Sequence, residues 1–327
     1  MSDSPNGVVL LCPGQGAQQV GMGKAWADAC PAAAQTFAAA DKALAGLPAL
    51  DGRPLSELCF EGPIERLGRT DVSQPALFAC AVASWQAMLE RMPPTRIVAA
   101  AGLSLGEYTA LHLAGAFSFV GGRRVVALRG RLMQEAAEAS RGSMVALIGA
   151  DESQADEICR EAAGDGVLVC ANFNAPGQIV LSGDVDACGR AVEVASAKGV
   201  RATPLQVAGA FHSPLMQPAA DGLAKALEEV EIAPLRVPVW SNVTARPHQP
   251  DDAELLRKRL VEQLISPVRW SHACSALLAD FAGDPKPALH ELAPGSVLRG
   301  LMRRIDRSFE VTSHDQPPAP TSATVSN

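Results

Sequence analysis

The sequence predicts an α/β protein with a parallel sheet at its core and a smaller βαββαβ unit inserted into the larger one. Three observations carry this expectation. Short apolar runs bounded by glycine and proline, of which Val8-Val9-Leu10-Leu11-Cys12 is the first, alternate with alanine-rich stretches of helical rhythm. One run, Ile97-Val98-Ala99-Ala100, passes through Gly102-Leu103-Ser104-Leu105-Gly106 into the helix-prone residues 108–114, the order strand, sharp turn, helix. Residues 142–207 then follow a rhythm of their own. With 327 residues, 48% of them apolar, the chain is long enough for one large and one small unit, each with a proper core.

Taken in order, residues 1–7 are polar and expected to fray. The strand at 8–12 ends in Pro13-Gly14-Gln15-Gly16-Ala17-Gln18, a turn with Gln15 at its tip. Its spacing is not Gly-x-Gly-x-x-Gly and no Lys-Ser/Thr follows, so it is no phosphate loop; it fits a turn that brings backbone N–H groups close to a ligand. A helix is expected from 26 to about 45, a stretch broken at Gly62-Pro63 over 55–67, and a helix over 74–89. After the serine turn and its helix, Gly121-Gly122 opens another. The second unit is expected as strand 143–149, helix 153–163, strands 167–171 and 179–182 joined by loop 172–177, helix 184–198 and strand 201–207. This βαββαβ order is the ferredoxin-like plan. The chain returns through residues 208–214 to a helix over 216–230, a strand at 237–241, helices at 253–264 and 270–279, a last strand at 288–292 and a final helix from 297. From Asp315 the composition is Pro, Ser, Thr and Ala, expected to be disordered. The domains so expected are a discontinuous large one, 8–141 with 208–312, and a small one, 142–207, between tails 1–7 and 315–327.

Composition excludes several classes of function. Charged residues are 19% of the chain and the formal net charge is −7, so no global basic field draws nucleic acid or anionic lipid. Eight cysteines, at 12, 30, 59, 80, 159, 170, 188 and 274, show neither Cys-x-x-Cys metal spacing nor the crowding of a disulfide scaffold. Most sit among alanine, leucine and valine, as reduced core thiols do. The apolar run at 8–12 is too short for a signal-peptide core or a membrane span, which makes a cytoplasmic enzyme the default expectation.

Ser104 carries the chemistry. A serine on such an elbow sits in strained backbone geometry with its hydroxyl clear of the sheet, and Leu105, opening the helix, places a free N–H and the positive end of the helix dipole beside it. The bland alternative is a Gly/Ser-rich loop of an ordinary α/β protein. Arg129 lies three or four residues from Val125, Val126, Leu132 and Met133, so it projects from the middle of an apolar stripe. A buried guanidinium needs an anion: either an internal Asp or Glu, or a carboxylate on the substrate. His212, between small residues in a loop leaving a strand, is a candidate base; a lone histidine so placed is more often a plain loop residue, and its weight comes from the serine and the arginine.

These residues together resemble the malonyl-CoA:acyl-carrier-protein transacylase family, which includes the acyltransferase domains of polyketide and fatty-acid synthases. The resemblance runs in order through Gly14-Gln15-Gly16-Ala17-Gln18, Gly102-Leu103-Ser104-Leu105-Gly106-Glu107, Leu128-Arg129-Gly130-Arg131, Asn174-Ala175-Pro176-Gly177-Gln178, Gly209-Ala210-Phe211-His212-Ser213 and residues 263–270. It implies a large domain like that of the α/β-hydrolases with a ferredoxin-like insert. It further implies Ser104 as nucleophile, His212 as general base, Arg129 as the clamp on the malonyl carboxylate, and the N–H groups of Gln15 and Leu105 as oxyanion hole. No acidic third member is expected: a main-chain carbonyl orients the histidine, and Gln263 is the matching position.

The implied reaction is ping-pong transfer of malonyl from malonyl-CoA, through a malonyl-serine, to the phosphopantetheine thiol of acyl carrier protein, with no metal or cofactor in the chain itself. A monomer is expected. Carrier proteins are acidic and the chain is net negative, so the clustered arginines of the final helix, Arg299, Arg303 and Arg304, are candidate docking groups; the alternative is a merely solvated helix face. Many relatives have His where this chain has Leu103, which bears on substrate fit more than on proton transfer, and the Gly-Ala-Phe-His form resembles malonyl-selecting members. A free-standing chain favours fatty-acid synthesis over a polyketide enzyme acting in trans. A serine esterase shares the elbow, but it needs an oxyanion loop of the His-Gly-Gly-Gly kind, which this sequence lacks, and it gives Arg129 no role.

Overall fold

The computed structural model describes residues 7–91, 95–283 and 286–318. In chain order its elements are β1 (Val8–Cys12), α1 (Lys24–Ala29), α2 (Pro31–Leu44), α3 (Leu55–Glu61), α4 (Ile64–Leu67), α5 (Thr70–Arg91), β2 (Ile97–Gly102), α6 (Leu105–Leu113), α7 (Phe119–Ala139), β3 (Gly142–Ile148) and α8 (Glu152–Ala162). There follow β4 (Leu168–Ala175), β5 (Gln178–Asp184), α9 (Val185–Ala197), β6 (Arg201–Pro204), α10 (Gln217–Glu228), β7 (Val239–Trp240), α11 (Ala253–Glu262), α12 (Trp270–Asp280), β8 (Ala288–Glu291), α13 (Val297–Ile305) and β9 (Val311–Ser313). Two sheets result. One is five-stranded in the order β7-β2-β1-β8-β9, with every pairing parallel. The other is four-stranded in the order β4-β5-β3-β6, with every pairing antiparallel.

The period of two along β1 explains how the parallel sheet is buried on both faces. Val8, Leu10 and Cys12 enter the core shared with α2, α5, α6, α7 and α10, while Val9 and Leu11 enter the core shared with α12 and α13. Helix α5 lies in the first of these cores with most of its residues buried, and so carries apolar side chains on every face. The small sheet has a core of its own. One face, with Val145, Leu147 and Leu181, packs on Ala155 and Ile158 of α8 and Ala191 of α9. Met144, Val180 and Ala171 turn the other way and join the large core. Two backbone bonds stitch the small sheet to the large unit: Phe173 N–H donates to Val268 O at 2.9 Å and Val268 N–H to Ala171 O at 2.8 Å.

Several sequence expectations need correcting. The helix expected over 26–45 is two, because Cys30 is extended (φ −147, ψ 122) and Pro31 begins the second. Helix α5 begins at Thr70, earlier than expected, and carries Pro75 as its sixth residue, where the proline has no N–H to give the Asp71 carbonyl one turn earlier. The loop expected over 172–177 shrinks to the turn at Pro176-Gly177, where Gly177 supplies a φ of 73°. Strand β6 stops at Pro204, short of 207. The strand expected as the last is followed by β9, three residues that pair with β8 and are too short to show a period. Of the two tails, 1–6 and 319–327 lie outside the described residues. Asp315, expected in the disordered tail, is instead held: its carboxylate accepts from the Gly295 N–H at 2.6 Å.

Candidate active site

Ser104 sits between β2 and α6 at φ 52° and ψ −103°, a conformation that costs a non-glycine residue on the order of 1–3 kcal/mol. The surrounding backbone is packed too closely to relax it. A Cβ on Gly106 would lie 2.0 Å from Cys12 O, so the start of α6 rests directly on the end of β1. A Cβ on Gly14 would lie 2.2 Å from Leu103 O, which brings the turn carrying Gln15 equally close to the elbow. Among the described residues, the N–H groups of Gln15 and Leu105 meet no protein acceptor. The Ser104 N–H is taken by Asn242 Oδ1 at 2.6 Å.

The loop after β6 brings His212, itself at φ 57°, to the serine. Its Nε2 lies 2.8 Å from Ser104 Oγ, and its Nδ1 lies 2.8 Å from the main-chain oxygen of Gln263. That carbonyl can only accept, so Nδ1 carries the proton and Nε2 is left as the acceptor facing Oγ. Burial, then the charge of Arg129, lower the pKa of His212 to about 4, against a smaller opposing effect of the bond to Gln263. The ring is therefore neutral, and able to take a proton, throughout the physiological range.

Serine acylation should stay flat as pH falls through 6.5 and drop only near 4. A pH–rate profile of the first turnover checks it, and an inflection near 6.5 contradicts it. The same depression makes His212 a stabilising group above about pH 6.5, with that stability lost as pH falls toward 4, because the unfolded chain binds the proton first.

Arg129, on α7, is 1% exposed. Its Nη1 donates to Gln74 Oε1 at 2.7 Å, and its Nη2 donates to Gln263 Oε1 at 2.9 Å and to Ser104 Oγ at 3.1 Å. The guanidinium carbon stands 5.1 Å from the centre of the Tyr108 ring, and its Nε has no partner. Among the described residues it joins no ion pair. The buried carboxylate nearest in the network, Glu107, reaches it only through an amide: Gln263 Nε2 donates to Glu107 Oε2 at 2.6 Å while Gln263 Oε1 faces the guanidinium. Of the two anions expected for Arg129, the internal one is thus not in direct contact.

The cleft over these groups is a cavity of about 400 Å³. Gln15, Leu103, Ser104, Phe211 and His212 line it from the large unit, Asn172, Asn174 and Val180 from the small sheet, and Val297 and Leu301 from α13. Arg299, Arg303 and Arg304 are exposed on α13 and, among the described residues, make no hydrogen bond or ion pair with Ser104, His212 or Arg129. At 100° per residue Arg304 falls on the stripe of Val297 and Leu301 at the cleft, while Arg299 and Arg303 fall on the outer side. Among the described residues no group of three or more His, Cys, Asp or Glu is placed to hold a metal.

The sequence did not single out four further residues of the network. Gln74 comes from α5, Asn242 follows β7, and His248 lies 2.6 Å through Nε2 from Glu107 Oε1. Glu107 stands inside the elbow motif, yet nothing in that motif told what its side chain meets.

Comparison with known proteins matches residues 9–313 to the family model described as the acyl transferase domain. The chain is 38% identical to the malonyl CoA-acyl carrier protein transacylase of Bacillus subtilis over 314 residues, 95% of this chain and 94% of that one. It resembles the crystal structure of the malonyl-CoA:acyl carrier protein transacylase of Xanthomonas oryzae pv. oryzae with a TM-score of 0.87 and 40% identity, covering 95% of each chain. A structure of a type II PKS acyl-carrier protein in complex with its malonyl-transacylase is matched with a TM-score of 0.87 and 38% identity, over 95% of this chain and 96% of that one.

Proposed function

Since the chain belongs to the acyl transferase domain family, we propose that it transfers malonyl from malonyl-CoA to the phosphopantetheine thiol of an acyl carrier protein. The observation that carries this reading is the contact of one serine oxygen with both an uncharged imidazole and a buried guanidinium that has no carboxylate of its own. The first makes a nucleophile; the second awaits an acyl group that ends in a carboxylate.

In the proposed mechanism, His212 Nε2 takes the hydroxyl proton as Ser104 Oγ attacks the thioester carbonyl. The N–H groups of Gln15 and Leu105 receive the developing oxyanion, and Gln263 O steadies the imidazolium through Nδ1–H. CoA leaves as the thiol, taking the proton back from His212. The carrier's thiol then repeats the sequence on the malonyl-serine, with His212 taking its proton and returning one to Oγ. Arg129 holds the malonyl carboxylate throughout. This chemistry asks for no metal or cofactor within the chain, since the carrier brings the phosphopantetheine. Incubation with malonyl-CoA and mass spectrometry tests the reading: a malonyl adduct on Ser104 that a holo carrier protein removes is expected, and an adduct released only to water points to an esterase.

The reading extends to a monomer, as the family resemblance implies, and to a reducing cytoplasmic setting, which eight buried thiols outside any disulfide suit. The small sheet, with strand order β4-β5-β3-β6 and α8 and α9 on one face, fits a ferredoxin-like subdomain over 142–207. The parallel sheet with its elbow fits an α/β-hydrolase-like large domain over 8–141 and 208–312. Among the described residues no helix is long and apolar enough to cross a membrane.

Docking of the carrier is assigned to α13, with Arg304 at the rim of the cleft and Arg299 and Arg303 outside it. The KM for carrier protein should rise with salt in the wild type, and the slope should flatten in Arg303→Glu/Arg304→Glu. Equal slopes leave those arginines as a solvated face.

A further inference from the structure

The parallel ladder between β2 and β7 ends early, at Ala100 with Val239 and Ala101 with Trp240. Beyond it lie Gly102 O and Ser104 N–H, two backbone groups at the edge of the elbow, both needing partners in a buried place. In a parallel sheet one peptide-bearing residue of the neighbouring strand serves such a pair, donating to the carbonyl of residue i and accepting from the N–H of residue i+2. Here a side chain does this. Asn242 Nδ2 donates to Gly102 O at 2.8 Å, and Asn242 Oδ1 accepts from Ser104 N–H at 2.6 Å.

The main chain of Asn242 is occupied elsewhere. Its N–H donates to Glu107 Oε2 at 3.1 Å and its oxygen accepts from Arg269 N–H at 2.8 Å, and the residue has no exposed surface. The side-chain amide is therefore anchored from the elbow's own helix through Glu107, and Glu107 is in turn fixed by His248 and Gln263.

What this amide holds is the Leu103–Ser104 peptide, and with it the φ of 52° that projects Oγ toward His212. The next peptide is held from its other end: Ser104 O accepts from Gln263 Nε2 at 3.1 Å and from Glu107 N–H at 3.1 Å. A trans peptide points its N–H away from its carbonyl, so the Leu105 N–H points away from Gln263 and, among the described residues, meets no protein acceptor. Because Asn242 takes the Ser104 N–H, that group is not available to an oxyanion.

We infer that Asn242 is a positioning residue for the nucleophile, its side-chain amide standing in for a missing peptide of β7 to hold the elbow between Gly102 and Ser104. It touches no substrate. This rests on the reading of Ser104 as a nucleophile, and not on which acyl group the serine receives.

The test uses Asn242→Ala and the near-isosteric Asn242→Asp in the full chain, the latter keeping an acceptor for Ser104 N–H and losing the donor for Gly102 O. Each is assayed for kcat and KM with malonyl-CoA and for labelling by a small fluorophosphonate, in which Oγ displaces fluoride at phosphorus and neither CoA nor a carboxylate takes part. Misplacing a reacting atom by about 1 Å costs on the order of 100-fold. For Asn242→Ala, kcat and the labelling rate should fall together by roughly 10- to 100-fold with KM changed less than about two-fold, and Asn242→Asp should fall by less. Labelling at the wild-type rate in either variant, or a loss carried wholly by KM, overturns the inference. If Asn242→Ala does not fold, Asn242→Asp alone decides by the same two readouts. A wild type that labels but transfers no malonyl overturns the proposed function and leaves this inference standing.

Discussion

Arg129→Ala should reverse or nearly erase a preference for malonyl-CoA over acetyl-CoA. In the wild type the guanidinium is buried with three neutral acceptors and one nitrogen unpartnered, an environment that favours whichever acyl group brings a negative charge. An acetyl group leaves that charge uncompensated; a malonyl group pairs with it. Breaking a buried, hydrogen-bonded charge pair costs on the order of 2–5 kcal/mol, or roughly 30- to several-thousand-fold in kcat/KM. That loss is expected for malonyl-CoA alone, with kcat/KM for acetyl-CoA unchanged or improved. Measuring both thioesters on both proteins checks it. A fall by the same factor for each would mean that Arg129 serves the elbow, through its bond to Ser104 Oγ, and not the acyl carboxylate.

The largest single effect is expected from Ser104→Ala. In the proposed mechanism removing Oγ removes the acyl-enzyme itself, and nucleophile deletions in serine–histidine sites lower kcat by about 10⁴- to 10⁶-fold. The fold should survive. Alanine keeps the same Cβ, and the contacts that fix the backbone at φ 52° come from Asn242, Gln263 and the glycines around the elbow. Loss of the malonyl adduct with an unchanged melting transition is the expected pair of results. Retained turnover would remove Ser104 from the mechanism.

What could be read from the sequence was what is local. The elbow announces itself within seven residues because strand, turn and helix must follow one another there, and Arg129 announces itself because a charge breaks an apolar stripe on its own helix. Asn242, Gln74 and the role of Glu107 were invisible for the opposite reason. Neutral amides violate no periodicity, and their meaning lies in partners 138 and 55 residues away along the chain. Strand β9 was missed for lack of length, and the division between α1 and α2 because alanine-rich sequence satisfies helical rhythm on both sides of a break set by Cys30 and Pro31. The question left open for Arg129, internal acid or substrate, had a form that neither alternative described: an internal carboxylate is present, one glutamine amide away.

The seam between the two sheets has a bearing on how the acyl range of such a protein can be altered. Residues 171–173 of the hairpin and Val268 of the large unit share backbone bonds on both sides of one residue pair, so the wall bearing Asn172 and Asn174 is fixed to the frame that carries Gln263. It is masonry and not a door. Room for a bulkier acyl group is then gained by trimming side chains on that wall and not by moving it.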